Sequence, residues 1–234
     1  MFSRSDCPEI TYSLEQVQER KHNLKVAYVS GDDFYDTLQK DFSMLPHLDS
    51  VNEKIQLVSS NGLLTKDSMV SANAYLGARG IVAALRAGAD IIICGRVADA
   101  SPVIAAAWYW HNWSDTDYDS LAGALISGHL IECSAYATGG NFSGFTEYDI
   151  DMFVDPGFPI AEIEVDGTCV ITKHEGTGGM VNEDTIKCQF LYELQGNVYL
   201  NSDVKAYLDG VVVKQVGKDR YAHRVRLFSS KYTN

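Results

Sequence analysis

The chain has 234 residues, 31 acidic against 19 basic, for a formal charge of −12 and a sequence pI near 4.8. Hydrophobic residues make up 46% and charged residues 21%, which excludes a largely disordered chain. The acidic excess argues against nucleic acid as a partner, since phosphates call for clustered Lys and Arg. The longest apolar run, residues 103–110, falls far short of the ~20 residues of a membrane helix, so no membrane partner is expected.

The first twenty or so residues are polar and lack the apolar core of a secretory signal. Five cysteines (Cys7, Cys94, Cys133, Cys169, Cys188) are scattered and form no CxxC pair. The expectation is a cytoplasmic chain with reduced thiols, without a disulfide framework or zinc knuckle. Residues 24–30 read as a buried strand, ending in Gly31-Asp32-Asp33. A short amphipathic helix follows over 34–42, with Asp32 or Asp33 as its cap. Residues 55–59 suggest a strand and Asn61-Gly62 a turn. Tyr75, Ala78, Val82 and Leu85 recur at helical spacing and predict a helix over 69–87, stopped by Gly88.

Ile91-Ile92-Ile93-Cys94 has the wholly apolar character of a strand inside a parallel sheet. Ser101 as cap with Pro102 at the first helical position starts a helix running to about Trp110. Asp119 is read as the cap of a further helix over 120–133. The chain then changes character. Residues 160–165 alternate apolar and acidic, Asp166-Gly167 reads as a two-residue hairpin turn, and 168–172 returns. Asn182 is read as capping a helix that ends near Gly196, and 211–216 with 221–227 form a second hairpin around 217–219. The fold class expected is α/β: a parallel or mixed sheet with flanking helices, plus antiparallel hairpins in the C-terminal half. One domain over 1–234 is expected, with any subdivision near 151–159.

Ligands of open parallel sheets bind beyond the carboxyl ends of the strands. Asp32 lies at one such end. Arg96 and Asp99 lie at another, where Arg96 suits a carboxylate, phosphate or enolate and Asp99 suits its positioning or a proton transfer. The bland alternative makes Asp99 a helix cap and Arg96 its ion-pair partner. The Gly-rich run 138–144 offers amides around Gly139 and Gly140, a side-chain amide at Asn141 and a hydroxyl at Ser143, all suited to an oxyanion. Equally, its glycines serve simply to turn the chain. Residues 173–179 place Lys173 and His174 just after a strand, and His174 is the preferred acid or base. His129, Glu132 and Cys133 share a helix face, but no second element completes a metal shell, so no metal is expected. Trp108, Trp110 and Trp113 suit a core, an interface or an apolar pocket. Nucleotide fingerprints and a nucleophile elbow are absent from the sequence.

The runs 71–82, which contains Asn73, 87–101, 128–133, 138–144, 159–162, 173–179, 191–196 and 199–201 together resemble the acyclic terpene utilisation (AtuA-like) family. Asn73 joins the substrate-binding candidates on that resemblance. Bacterial members lie in pathways that degrade citronellol and geraniol through acyl-CoA intermediates. The family has no settled catalytic residues to carry over. Its members usually have a longer N-terminal part, which implies that a homodimer or higher homo-oligomer covers the exposed edge here. The function expected is an enzyme acting on a small apolar oxygenated substrate, isoprenoid- or polyketide-like, by acid/base chemistry without a cofactor: an isomerase, lyase, hydratase or cyclase, with secondary metabolism as one setting. Its catalytic candidates are His174, Asp99 and Arg96. The alternatives are an acyl-CoA enzyme of acyclic terpene catabolism and a non-catalytic binding or assembly protein.

Overall fold

The computed structural model describes residues 23–40, 69–192, 194 and 196–225. The strand read over 55–59 and the turn at 61–62 lie outside them. The chain forms two compact units, Met1–Leu76 with Asp90–Val97, and Gly77–Ala89 with Ala98–Asn234. Residues 151–159 lie inside the second.

In the first unit, β1 (Val26–Val29) pairs in parallel with β2 (Ile91–Cys94), Val26 opposite Ile91. The helix α1 (Tyr35–Lys40) follows β1, and Asp33 accepts the Tyr35 amide at 3.0 Å. The helix predicted over 69–87 is corrected: residues 69–77 are not helical, and α2 covers only Arg79–Arg86. Backbone groups upstream are taken by the strand-end loops instead. Ala72 accepts from Phe34, Ala74 donates to Asp32, and Leu76 donates to Arg96 at 3.0 Å. Distant partners override helical spacing here, as tertiary context commonly does.

In the second unit, α2 ends as expected, with Gly88 at φ +77° and its amide on Leu85 O. The helix α3 spans Ser101–His111 and α4 spans Tyr118–Ile131. Two caps are corrected. Ala100 rather than Ser101 precedes α3 as its cap, and α4 begins before Asp119, which falls in its first turn. There its carboxylate still complements the helix dipole. Every residue of α4 from Leu121 to Leu130 is buried, which is why its sequence is apolar on all sides. Gly128 lets α3 approach closely, since a Cβ there would meet Ala100 at 2.8 Å.

Against α4 packs a four-stranded antiparallel sheet of order β3-β4-β8-β7: β3 Pro159–Ile163, β4 Cys169–Lys173, β7 Val211–Gly217 and β8 Arg220–Val225. The helix α5 (Glu183–Leu191) starts at Asn182 as predicted, through a capping box with Thr185. It ends at Leu191, short of Gly196. A small hairpin, β5 (Val198–Leu200) with β6 (Lys205–Tyr207), follows and was not foreseen. The β3–β4 turn is also corrected. Glu164 and Thr168 close it across three residues, with Gly167 at φ +80°. The Val165 carbonyl is drawn out of the ladder by the Trp113 indole at 2.8 Å.

The described helices and strands thus combine a parallel pair with antiparallel sheets, a mixed α/β fold. No helix among the described residues is long and apolar enough to cross a membrane.

Candidate functional site

Two groups of candidate residues form, one in each unit. The first sits beyond the carboxyl ends of β1 and β2. Asp32 Oδ2 accepts the Arg96 backbone amide at 2.7 Å and the Asn73 side-chain amide at 3.0 Å. Burial alone would raise the Asp32 pKa, but these hydrogen bonds outweigh it and hold the carboxyl below its ordinary value. The Arg96 guanidinium lies over the Tyr75 ring, 4.1 Å from its centroid. Three sequence candidates, Asp32, Asn73 and Arg96, therefore meet here. Asp32 holds the backbone on which Arg96 is presented.

The second group surrounds the Gly-rich loop of the second unit. A 3-10 turn over Ser134–Thr138 ends at Gly139, whose φ of +115° suits a glycine. The loop lines a pocket of about 440 Å³ with Gly139, Gly140, Asn141 and Ser143. Phe142, Phe145, Ile150 and Phe153 complete its lining. Phe153 packs so closely on Gly139 that a Cβ there would meet its ring at 2.8 Å. Phe145 crosses Phe153 edge-on, with centroids 6.5 Å apart. No charged side chain lines this pocket.

The backbone amides of Gly139 and Gly140 are already used, donating to Tyr136 O and Ala135 O. The polar capacity falls to the next residues. Among the described residues, the amides and side chains of Asn141 and Ser143 make no hydrogen bond. Asn141 is held through its carbonyl, which accepts from the Cys188 thiol at 3.3 Å.

The loop bearing Lys173 and His174 adjoins this group through a shared segment. Met180 N donates to Thr138 O, and Thr138 Oγ1 donates to Gly157 O at 2.6 Å. The Lys173 ammonium is turned onto its own loop, donating to Thr177 O at 2.9 Å. His174 is exposed, and neither residue lines the pocket. Asp99 is an exposed turn residue ahead of α3 in the second unit.

On α4, His129 is buried and donates to Phe190 O at 3.2 Å, with Tyr199 Oη 3.4 Å from its other ring nitrogen. Cys133 donates to Glu132. Cys133 and Glu132 thus bond to each other, while His129 bonds to Phe190 and Tyr199. Trp108 and Trp113 are core residues, whereas Trp110 is 81% exposed.

Sequence reasoning missed the aromatic wall, because Phe145, Ile150 and Phe153 sit on two short 3-10 turns without regular spacing. It also missed Asp203, a buried carboxylate that accepts the Ala78 amide at 2.6 Å. No local pattern signals that contact, since 125 residues separate the two.

Neither the curated proteins nor the solved structures compared with this chain include a match. The model of the family described as acyclic terpene utilisation family protein AtuA matches residues 10–228, nearly the whole sequence with both groups of candidates, and the chain belongs to that family.

Proposed function

We propose that the protein is an enzyme that takes a small, mostly apolar, oxygenated molecule into the pocket beside Gly139 and rearranges it by an acid/base step needing no cofactor. One observation carries this reading: an uncharged pocket lined by three phenylalanines and an isoleucine together with the unengaged donors of Asn141 and Ser143. Its volume of about 440 Å³ lies within the range of small-molecule sites. A branched hydrocarbon chain suits the aromatic lining, in keeping with a family named for acyclic terpenes.

In this reading Asn141 and Ser143 bind the substrate oxygen and stabilise charge that develops on it. His174, exposed on the adjoining loop, exchanges a proton with the part of the substrate that extends beyond the pocket, with Asp99 as the alternative. Lys173 steers an anionic group, and the Asp32–Asn73–Arg96 cluster serves an anionic group within its own unit. Isomerisation, hydration, dehydration and cyclisation all fit such a set. A cytoplasmic homodimer is the assembly proposed.

The test incubates purified protein in D2O with ten-carbon acyclic unsaturated alcohol, aldehyde, acid and acyl-CoA thioester. Products and deuterium uptake are read by mass spectrometry. Conversion of a free compound with deuterium uptake is expected, lost in His174→Gln. Asn141→Ala and Ser143→Ala should each lower kcat/KM about tenfold, the worth of one hydrogen bond. Conversion of the thioester alone would favour the acyl-CoA alternative. Binding without conversion would favour a non-catalytic relative, and turnover indifferent to Asn141 and Ser143 would remove the pocket from the reaction.

A further inference from the structure

We infer that a second binding site, on the outer face of α3, takes an uncharged long-chain alcohol. The helix α3 carries no Asp, Glu, Lys or Arg along its eleven residues. Such a helix normally lies wholly inside a core. Here Ile104, Ala105 and Trp108 do so, but Ala106 and Trp110 face outward. They form one wall of a groove of about 510 Å³, with Val103 beside them. Ile131 of α4 and Ala161 and Ile163 of β3 form the other. Trp110 stands at the groove 81% exposed, a large apolar surface left in water.

The polarity of the groove selects the head group. His111 is its one ionisable side chain. His111 Nε2 lies 3.0 Å from Ile163 O, and a carbonyl only accepts, so Nε2 carries the proton. Nδ1 of the neutral ring is then a bare acceptor, without a hydrogen-bond partner among the described residues. The ring is held in that orientation by stacking on Trp113, with centroids 5.2 Å apart and planes 20° apart. Trp113 is itself fixed by its bond to Val165 O.

A hydroxyl donates to such a nitrogen. A carboxylate or phosphate brings only lone pairs and finds no cation in the groove, on a chain whose net charge is already −12. An ammonium group finds no carboxylate. The hydrocarbon of an alcohol covers the apolar walls and Trp110. The pocket beside Gly139 differs in carrying side-chain donors, at Asn141 and Ser143, that the groove lacks. The alcohol site stands whether or not the Gly139 pocket is catalytic.

The test is tryptophan emission of the full chain at about pH 8, titrated with 1-decanol, its methyl ether 1-methoxydecane, and decanoate. With Trp108 and Trp113 buried, Trp110 dominates any change on binding. A saturable blue shift is expected with 1-decanol, at least fivefold weaker binding of the ether, and no shift with decanoate. Trp110→Phe should abolish the shift. His111→Phe keeps an aromatic ring and should bring alcohol and ether to equal affinity. Ala106→Met fills the groove from an exposed position without adding a fluorophore and should block 1-decanol while leaving the circular dichroism unchanged. Decanoate binding as tightly as the alcohol would overturn the inference, as would an alcohol preference that survives His111→Phe. A Trp110 shift that follows protein concentration alone, showing that a second copy fills the groove, would overturn it too.

Discussion

Asp32 in the first unit and Asp203 in the second meet one local problem with opposite results. Each is a buried carboxylate that accepts a backbone amide, from Arg96 at 2.7 Å and from Ala78 at 2.6 Å. Each lies against a glycine, Gly95 or Gly77, where a Cβ would overlap the carboxylate. Yet Asp32 is held below its ordinary pKa and Asp203 above it. Burial raises both. At Asp32 the Asn73 amide adds a second strong donor and the balance turns. At Asp203 one carboxylate oxygen has no hydrogen-bond partner, and the Arg79 guanidinium stays 3.9 Å away. Burial therefore dominates there. Deeper burial with fewer hydrogen bonds at Asp203, against shallower burial with more at Asp32, decides which way each group shifts.

The same rule extended to a base predicts the largest effect. His223 is 1% exposed in the core between α4 and the sheet. Ser127 Oγ donates to Gly123 O at 2.8 Å, so it accepts from His223 Nε2 at 3.2 Å. Nδ1 is left buried without a partner. Burial pushes the imidazole down from 6.5 to about 4. The folded state thus binds fewer protons than the unfolded chain between these values. Stability is complete above about pH 6.5 and falls as pH drops toward 4, by about 3 kcal/mol in all. Urea unfolding of wild type and His223→Gln from pH 7.5 to 4 measures it. The wild type should lose about that much more than the variant. Parallel pH profiles would show that uncompensated burial is not what governs these groups.

Next in size is Asp32→Ala. It leaves the Arg96 amide and the Asn73 side chain without their acceptor, a loss of about 2 kcal/mol at pH 7. The pH sign is opposite to that of a raised carboxyl. A lowered pKa gives stability that is present above 3.8 and lost as pH falls through the folded value. The deficit of Asp32→Ala relative to wild type should therefore shrink in acid. Chemical denaturation at pH 7 and pH 3 tests this, and an unchanged deficit would remove the charge from the account.

How far these features can be read from residues alone depends on the range of the contacts that make them. Ile91–Cys94 was readable because four apolar residues stand between Asp90 and Gly95, and the Asn182 cap because its partner Thr185 is three residues away. The polar side of the Gly139 pocket was readable for the same reason, being one continuous loop. The stretch 69–78 misled because Tyr75 and Ala78 keep helical spacing while the backbone at 72, 74 and 76 bonds to 34, 32 and 96. The strands β5 and β6 are three residues each, too short to display alternation. Which amides remain available in the Gly-rich loop also escapes the sequence. Gly139 and Gly140 are spent on a turn whose existence depends on how Ser134–Thr138 winds.

The smallest effect belongs to Asp203→Asn, and it divides the two carboxylates most cleanly. The Asn oxygen can keep the bond from Ala78, and the substitution removes a charge that burial disfavours. Against this, an amide nitrogen replaces an unpartnered oxygen and the attraction to Arg79 is lost. The opposing changes should leave stability at pH 7 within about 1 kcal/mol of wild type. The pH dependence carries the information. Because the folded pKa of Asp203 is raised, its favourable contribution is complete below 3.8 and lost as pH rises through the folded value. Wild type should therefore gain on Asp203→Asn as pH falls toward 4, whereas it loses ground to Asp32→Ala only as pH falls further, below 3.8. Denaturation of both variants at three pH values decides it. Slopes of the same sign would mean that burial and hydrogen bonding do not shift the two carboxylates in opposite directions.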